Sequence, residues 1–328
     1  MSLRTLNTSI SNPANKYGSY LERELLALKS NPAGVARYVN ADPGGTGDDT
    51  ADGLSPQTAY LTMAKALSVV GTLDTVYFWG DVREEVVGNN LAFDVTIVGL
   101  GSLHHPDSPA TGYKVGSSMW RPPSSPTTAT PLLKLRGRGW NFINVAFDCP
   151  VDAAAVLMQR NDGAGANAGI AEWDPSHASF LGCRFVDGKY GIEDSGGAYN
   201  VTVDGCEFKA MTTAAIANTS TSVANPLNWK ITNNRFPSNV SSFGNATHID
   251  SPLNCAIIKG NIFGTVTSTA LYVDLTSGNG NVVTENVMAG LYDTTDYVPG
   301  TGDVWYQNWT VVKATYSPDG TSIQVPGA

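Results

Sequence analysis

Charge is scarce in this chain, and so are long apolar runs and cysteine. Asp, Glu, Lys and Arg make up 15% of its 328 residues, against roughly 25% in an average soluble domain. The net charge is −9, which excludes a protein that tracks nucleic-acid phosphates, because such proteins need a basic face. No apolar run approaches the ~20 residues of a membrane-spanning helix, so membrane insertion is not expected. The opening residues, Met1-Ser-Leu-Arg-Thr-Leu-Asn7, lack the apolar core of a signal peptide and are read as no secretory leader. Four cysteines are too few for a disulfide framework, and none forms a Cys-x-x-Cys pair beside histidine, so a zinc site is not expected. There is no Gly-x-Ser-x-Gly nucleophile motif, and the histidines are isolated or sit together as His104-His105. No cofactor is expected.

Gly, Asn, Ser and Thr fill the space that charge vacates, and they fall in a pattern. An eight-residue phrase recurs, running from Trp140 to Phe147, Ala178 to Phe185, Val201 to Phe208, Trp229 to Phe236, Ala256 to Phe263 and Asn281 to Met288. Its last residues are 23 to 38 positions apart. Five residues before the end stand Phe142, Phe180, Val203, Ile231, Ile258 and Val283, which gives the period-two alternation of a strand with one buried face. Three before the end stand Asn144, Gly182, Gly205, Asn233, Gly260 and Glu285, a place for the left-handed backbone of a sharp bend. Two before the end, Asn234, Asn261 and Asn286 are expected to point inward and form a ladder, with Cys183 and Cys206 stacked above them as buried thiols or, less simply, a disulfide. One strand–bend–strand–loop circuit per repeat predicts a solenoid of eight to ten rungs, each burying its apolar face against the next. Helical repeats are excluded because no 3.6-residue period is present.

Upstream, Ser19 to about Ser30 has helical spacing with Leu21, Leu25 and Leu28 on one face, and Asn31-Pro32 ends it. From Arg37 to Leu67 the chain reads as a short strand, an Asp/Gly loop, Gly53-Leu-Ser-Pro56 and a helix from about Leu61 to Val70. This leader resembles the opening of right-handed parallel β-helix proteins, a group that includes pectate-lyase-like enzymes and phage tailspikes, and the repeat resembles theirs too. The resemblance implies an all-β, single-stranded parallel β-helix. Asp48, Asp49 and Asp52 lack the glutamate an EF-hand loop requires, since Ala59 stands there, and they are read as a solvated turn. The stretch between Gly101 and Pro131 reads as a long Pro/Ser/Thr loop carrying Trp120.

A second phrase follows each bend. Aligning Ile192, Ile216, Ile249 and Val273 inward places Glu193, Ala217, Asp250 and Asp274 in one outward column. Asp250 and Asp274 are then one strand spacing apart, about 5 Å, which is the separation of a retaining glycosidase pair. Glu193 is a third candidate, and His248 is expected to face away. A lyase reading is weaker, because no Arg or Lys is placed in this column; Lys189 and Lys209 are read as bend residues.

After Met288 the repeat is read as ending. The tail concentrates Trp305, Tyr306 and Trp309, which suit a cap, a partner contact or a sugar platform. The expected organisation is 1–74 as N-terminal arm, short helices and cap, 75–290 as β-helix, and 291–328 as C-terminal cap or oligomer contact. The resemblance to phage spikes implies a virion structural protein. It implies a rigid homotrimer contacting other capsid or tail proteins and host surface polysaccharide. The competing reading is a glycan depolymerase acting through Asp250, Asp274 and Glu193.

Overall fold

The structure, a computed structural model, describes residues 34–104, 116–124, 130–160, 173–220, 225–238, 244–266, 271–290, 294 and 296–310. The predicted helix at 19–30 lies outside them. Each repeat phrase supplies two short strands with a bend between them, and every strand pairs in parallel with its counterpart one repeat away. Three ribbons result. Face I holds the first strand of each phrase and face II the second. Face III is an eight-stranded parallel sheet built from the phrase that follows. Together they form a right-handed parallel β-helix.

The bend forms because its residue takes a left-handed backbone in each copy, with φ of 55° at Asn144, 58° at Gly182, 65° at Gly205, 57° at Asn233, 68° at Gly260 and 57° at Glu285. Inside, the terminal Phe residues make one column. Ring centroids are 5.2 Å apart from Phe147 to Phe185, 4.6 Å from Phe185 to Phe208, 5.2 Å from Phe208 to Phe236 and 4.9 Å from Phe236 to Phe263. Beside it runs the asparagine ladder. Asn261 Oδ1 accepts from both the backbone N–H and the side-chain amide of Asn234, and Asn286 and Asn308 repeat the arrangement below. Cys183 and Cys206 continue it upward as free, buried thiols, donating to the carbonyls of Phe142 and Phe180 at 3.4 and 3.3 Å. The thiol reading therefore holds and the disulfide does not.

Two expectations about extent are corrected. The solenoid does not stop at Met288: Val304–Tyr306 and Trp309–Thr310 add another pair of parallel strands in register. This is a seventh copy, with Gln307 at the bend (φ 54°) and Asn308 closing the ladder. It escapes the pattern because Thr310 stands where the others carry Phe or Met. At the other end, Ala36–Ala41 already pairs in parallel with the strand that begins at Thr75, so the coil starts inside the expected cap. The helix Met63–Val69 covers that first rung, and the Glu84 carboxylate accepts from the N–H groups of Met63 and Ala64 at the helix start. Asp49 is drawn into the same leader, accepting from Leu61 N, Thr62 N and Thr62 Oγ1. The expected long loop is also broken: Ser118–Arg121 is a strand on face II, and Trp120 is fully buried there.

Candidate functional site

The outward column read from the sequence exists. On face III Glu193 pairs with Ala217, Ala217 with Asp250, and Asp250 with Asp274. Asp250 and Asp274 occupy adjacent strands, which sit about 4.8 Å apart. Asp250 is exposed, and its carboxyl is held above the ordinary range, first by partial burial and then by the charge of Asp274. Asp274 is fixed by accepting from Thr276 N at 2.8 Å. His248 faces inward as expected, packed against Phe236 and Phe263 with Nε2 on the Gly264 carbonyl, and burial pulls it down to about 4.

The column extends further than the sequence suggested. Lys134 pairs with Leu157, and Leu157 with Glu193, so a cation does stand in this column, two strands from Glu193. It was missed because its rung follows the break at residues 101–131 and carries no recognisable phrase. A kink in the strands Ala154–Met158, Tyr190–Asp194 and Ala214–Asn218 changes which residues face out. Gly191 and Ile192 both turn toward the core: a Cβ on Gly191 would meet the Phe208 ring at 2.7 Å. Tyr190 consequently joins Glu193 on the outside, packed on Ala154 and Ala214, which occupy the equivalent places in the neighbouring strands.

These residues line a cleft of about 450 Å³, walled by Lys134, Asp152, Gln159, Lys189, Tyr190 and Glu193. Lys189, placed in a bend by the sequence reading, stands at its edge with its ammonium 5.4 Å from the Tyr190 ring. Glu193 is buried enough that its carboxyl is raised from the ordinary range. The 2.6 Å bond from Thr219 Oγ1 and the Lys189 charge oppose that rise. The structure thus offers two polar loci on one sheet: a cleft around Glu193, and an open carboxylate pair at Asp250 and Asp274. The Ala217 strand separates them.

Of the three aromatic residues proposed as contacts, the structure turns Trp305 inward, where it is 2% exposed and continues the column of Phe142, Phe180 and Val283. It belongs to the core and is not a surface anchor. The alternation that buries it brings Tyr306 to the outer side, and Trp309 is 52% exposed.

No family model matches the chain, and no curated protein matches it. Several solved structures do. The GH136 lacto-N-biosidase from Eubacterium ramulus is similar at 12% identity and a TM-score of 0.49, over 90% of this chain and 59% of that one. The chain thus spans less than two thirds of that enzyme. Pectin methylesterase from carrot matches at 13% identity and 0.44, over 90% and 88% of the two chains. ORF18 of Geobacillus virus E2 matches at 13% and 0.45, over 92% and 66%. These likenesses concern the course of the backbone, and the parallel β-helix itself stands on the strand register described above.

Proposed function

We propose that this chain is a structural rod of a bacteriophage particle. In this reading three copies pack side by side through the outer surface of their last rungs, contact other capsid or tail proteins, and leave face III open to host glycan. The observation that carries the proposal is a change of surface chemistry partway along the solenoid. On face I one outward column reads Asn141, Ser179, Thr202 and Lys230, then Ile257, Val282 and Val304. On face II another reads Arg184, Glu207 and Arg235, then Ile262, Val287 and Trp309. Both columns turn apolar at the same rung and stay so through the last described strands. Ile262 is 50% exposed, Val304 53% and Trp309 52%. Scattered apolar residues on a surface are ordinary, whereas contiguous ones mark contacts.

A second copy of the same chain fits this surface for a geometric reason. Cyclic packing of parallel rods brings identical rungs to one height, so a band confined to the last rungs meets its own kind. Replacing Ile262 and Val287 by Lys is expected to convert a trimer to monomer without loss of secondary structure. A native chain that sediments as a monomer sinks the trimer. A trimer unaffected by these changes places the contact elsewhere.

The second reading, glycan hydrolysis, is favoured by the register of Asp250 and Asp274. With Asp250 as proton donor and Asp274 as its partner carboxyl, the strand spacing of about 4.8 Å is near the separation a retaining mechanism uses. Asp250→Asn is expected to abolish cleavage of a susceptible polysaccharide. Undiminished cleavage by that variant removes these residues from the chemistry.

A further inference from the structure

The turn joining face III to face I carries a group of residues that neither reading uses. Arg136 and Arg138 follow Lys134 out of one strand, and Arg160 follows Gln159 out of the next. Trp173, Asp174 and His177 lead back into face I, and Tyr199 stands one rung further on. The guanidinium of Arg136 lies 3.5 Å from the centre of the Trp173 ring, and its Nε donates to Gln159 Oε1 at 2.8 Å. Arg160 and Arg138 flank Tyr199, at 4.9 and 5.6 Å from its centre. Arg160 Nη1 donates to the Gly197 carbonyl at 2.7 Å, and Arg138 Nη2 meets His177 Nε2 at 2.9 Å.

These contacts hold three guanidiniums rigidly while leaving most of their donors uncommitted among the described residues. A guanidinium has five N–H groups, and each of the three arginines makes one hydrogen bond to a described partner. The carboxylate among them, Asp174, accepts from Ser176 N at 3.1 Å and from the Tyr199 hydroxyl at 3.5 Å, and sits 3.9 Å from Arg138 Nε and 3.7 Å from Arg160 Nε. Among the described residues this corner carries three guanidiniums against the one carboxylate of Asp174. It adjoins the cleft directly, because Gln159 lines the cleft and also receives the Arg136 bond.

We infer that the cleft and the arginine corner together bind an acidic saccharide, with a sugar ring over the cleft and its anionic substituent on Arg136, Arg138 and Arg160. The cleft presents what sugar hydroxyls require, an amide at Gln159, a phenol at Tyr190 and a carboxyl at Glu193, over the apolar floor of Leu157 and Ala154. Lys134 and Lys189 in its lining balance the carboxyl groups of Asp152 and Glu193, so the anion preference rests on the arginine corner. Guanidinium forks match carboxylate or sulfate oxygens two at a time, and their stacking on rings lowers the entropy lost on binding. The inference deepens the glycan-facing part of the function proposed above and rests on it for the biological source of the ligand. The site itself needs neither a trimer nor a particle.

The test is calorimetric titration of the full chain with alginate hexasaccharide (carboxylate), a heparin-derived hexasaccharide (sulfate), a dextran-derived hexasaccharide (neutral), and inorganic sulfate and phosphate alone. At least one acidic saccharide is expected to bind, with affinity falling as salt rises, and dextran is not. Arg138→Gln changes a side chain that is 46% exposed, so the fold is expected to survive, and binding should weaken roughly tenfold or more. Lys134→Gln, on the other side of the cleft, is the second variant and should weaken the same ligand. Equal binding of dextran, inorganic anions binding as tightly as the saccharides, no binding of either acidic saccharide, or indifference to both substitutions would each overturn the inference. A trimer that binds no acidic saccharide rejects the site alone; a monomer that binds one rejects the trimer alone.

Discussion

The asparagine ladder makes the sharpest stability prediction. Asn261 is fully buried, and its side chain makes four hydrogen bonds, accepting from Asn234 N and Nδ2 and donating to the Ile231 carbonyl and Asn286 Oδ1. In Asn261→Ala two of the partners keep another contact: Asn234 Nδ2 still reaches the Val203 carbonyl, and Asn286 Oδ1 still accepts the residue-261 N–H. The Asn234 N–H is left without its acceptor, whereas the Ile231 carbonyl loses one of two donors and keeps its place in the parallel ladder with Ile257–Lys259. A buried polar group left unpaired costs about 1–3 kcal/mol, and one such group is left, so the change should cost about 1–3 kcal/mol. Solenoid stability is a sum of rung and interface terms, which makes the loss local. Native-state hydrogen exchange is the suitable assay. Protection of amides in the Trp229–Phe236 and Ala256–Phe263 rungs should fall at least about fivefold, the equivalent of the lower bound. Asn233→Gly is the control: it lies next to Asn234 in the same bend, but its φ of 57° suits glycine, and its side chain is at the surface. Protection at Asn234 changed by less than threefold in Asn261→Ala, or equal losses in both variants, would refute the ladder as the source of rung stability.

Three further outcomes follow from the same interior. Replacing Cys206 by Asn should be tolerated and should extend the ladder by one rung, because Asn234 Oδ1 already accepts the Cys206 N–H and the Phe180 carbonyl already faces the thiol; a large drop in melting temperature contradicts this. A thiol reagent should find one fast cysteine in the native chain, the exposed Cys255, and four after denaturation, since Cys149, Cys183 and Cys206 are buried and burial pushes Cys149 up to about 12; fewer than four after denaturation would reveal a disulfide. The pH profile contains two opposing contributions. Burial raises Asp194 to about 6 from 3.8, so its stabilising contribution is complete below pH 3.8 and is lost as pH rises through about 6. Burial lowers His248 to about 4 from 6.5, so its contribution is complete above pH 6.5 and is lost as pH falls through about 4. Between these limits they offset one another. Asp194→Asn should therefore make stability fall as the medium is acidified from pH 6.5 to 4, measured by denaturant midpoints. A profile for that variant that rises on acidification refutes the assignment.

The core was legible in the sequence because each rung repeats the same physical requirement. A left-handed bend selects Asn or Gly, and the inward positions beside it select Phe, Ile and Asn. Those columns, and the alignment of Glu193, Ala217, Asp250 and Asp274, follow from register alone. Where a rung departs from the phrase, legibility fails. Thr310 in place of Phe hid the last copy and made Trp305 look like a surface residue, although it fills the inward position below Val283. The kink at Gly191-Ile192 breaks simple alternation, so the outward turn of Tyr190 was invisible. The arginine corner has no sequence signature, because Arg136, Arg138, Arg160, Asp174 and Tyr199 meet only when three successive turns are stacked.

The measurement that bears most directly on the proposed role is sedimentation of the full chain in the absence of any other protein, native and with Ile262→Lys and Val287→Lys together. The account predicts a native particle of three times the 34.6 kDa chain mass and a monomer for the substituted chain with unchanged far-ultraviolet dichroism. A native mass of 34.6 kDa, or a trimer that both lysines leave intact, would contradict it.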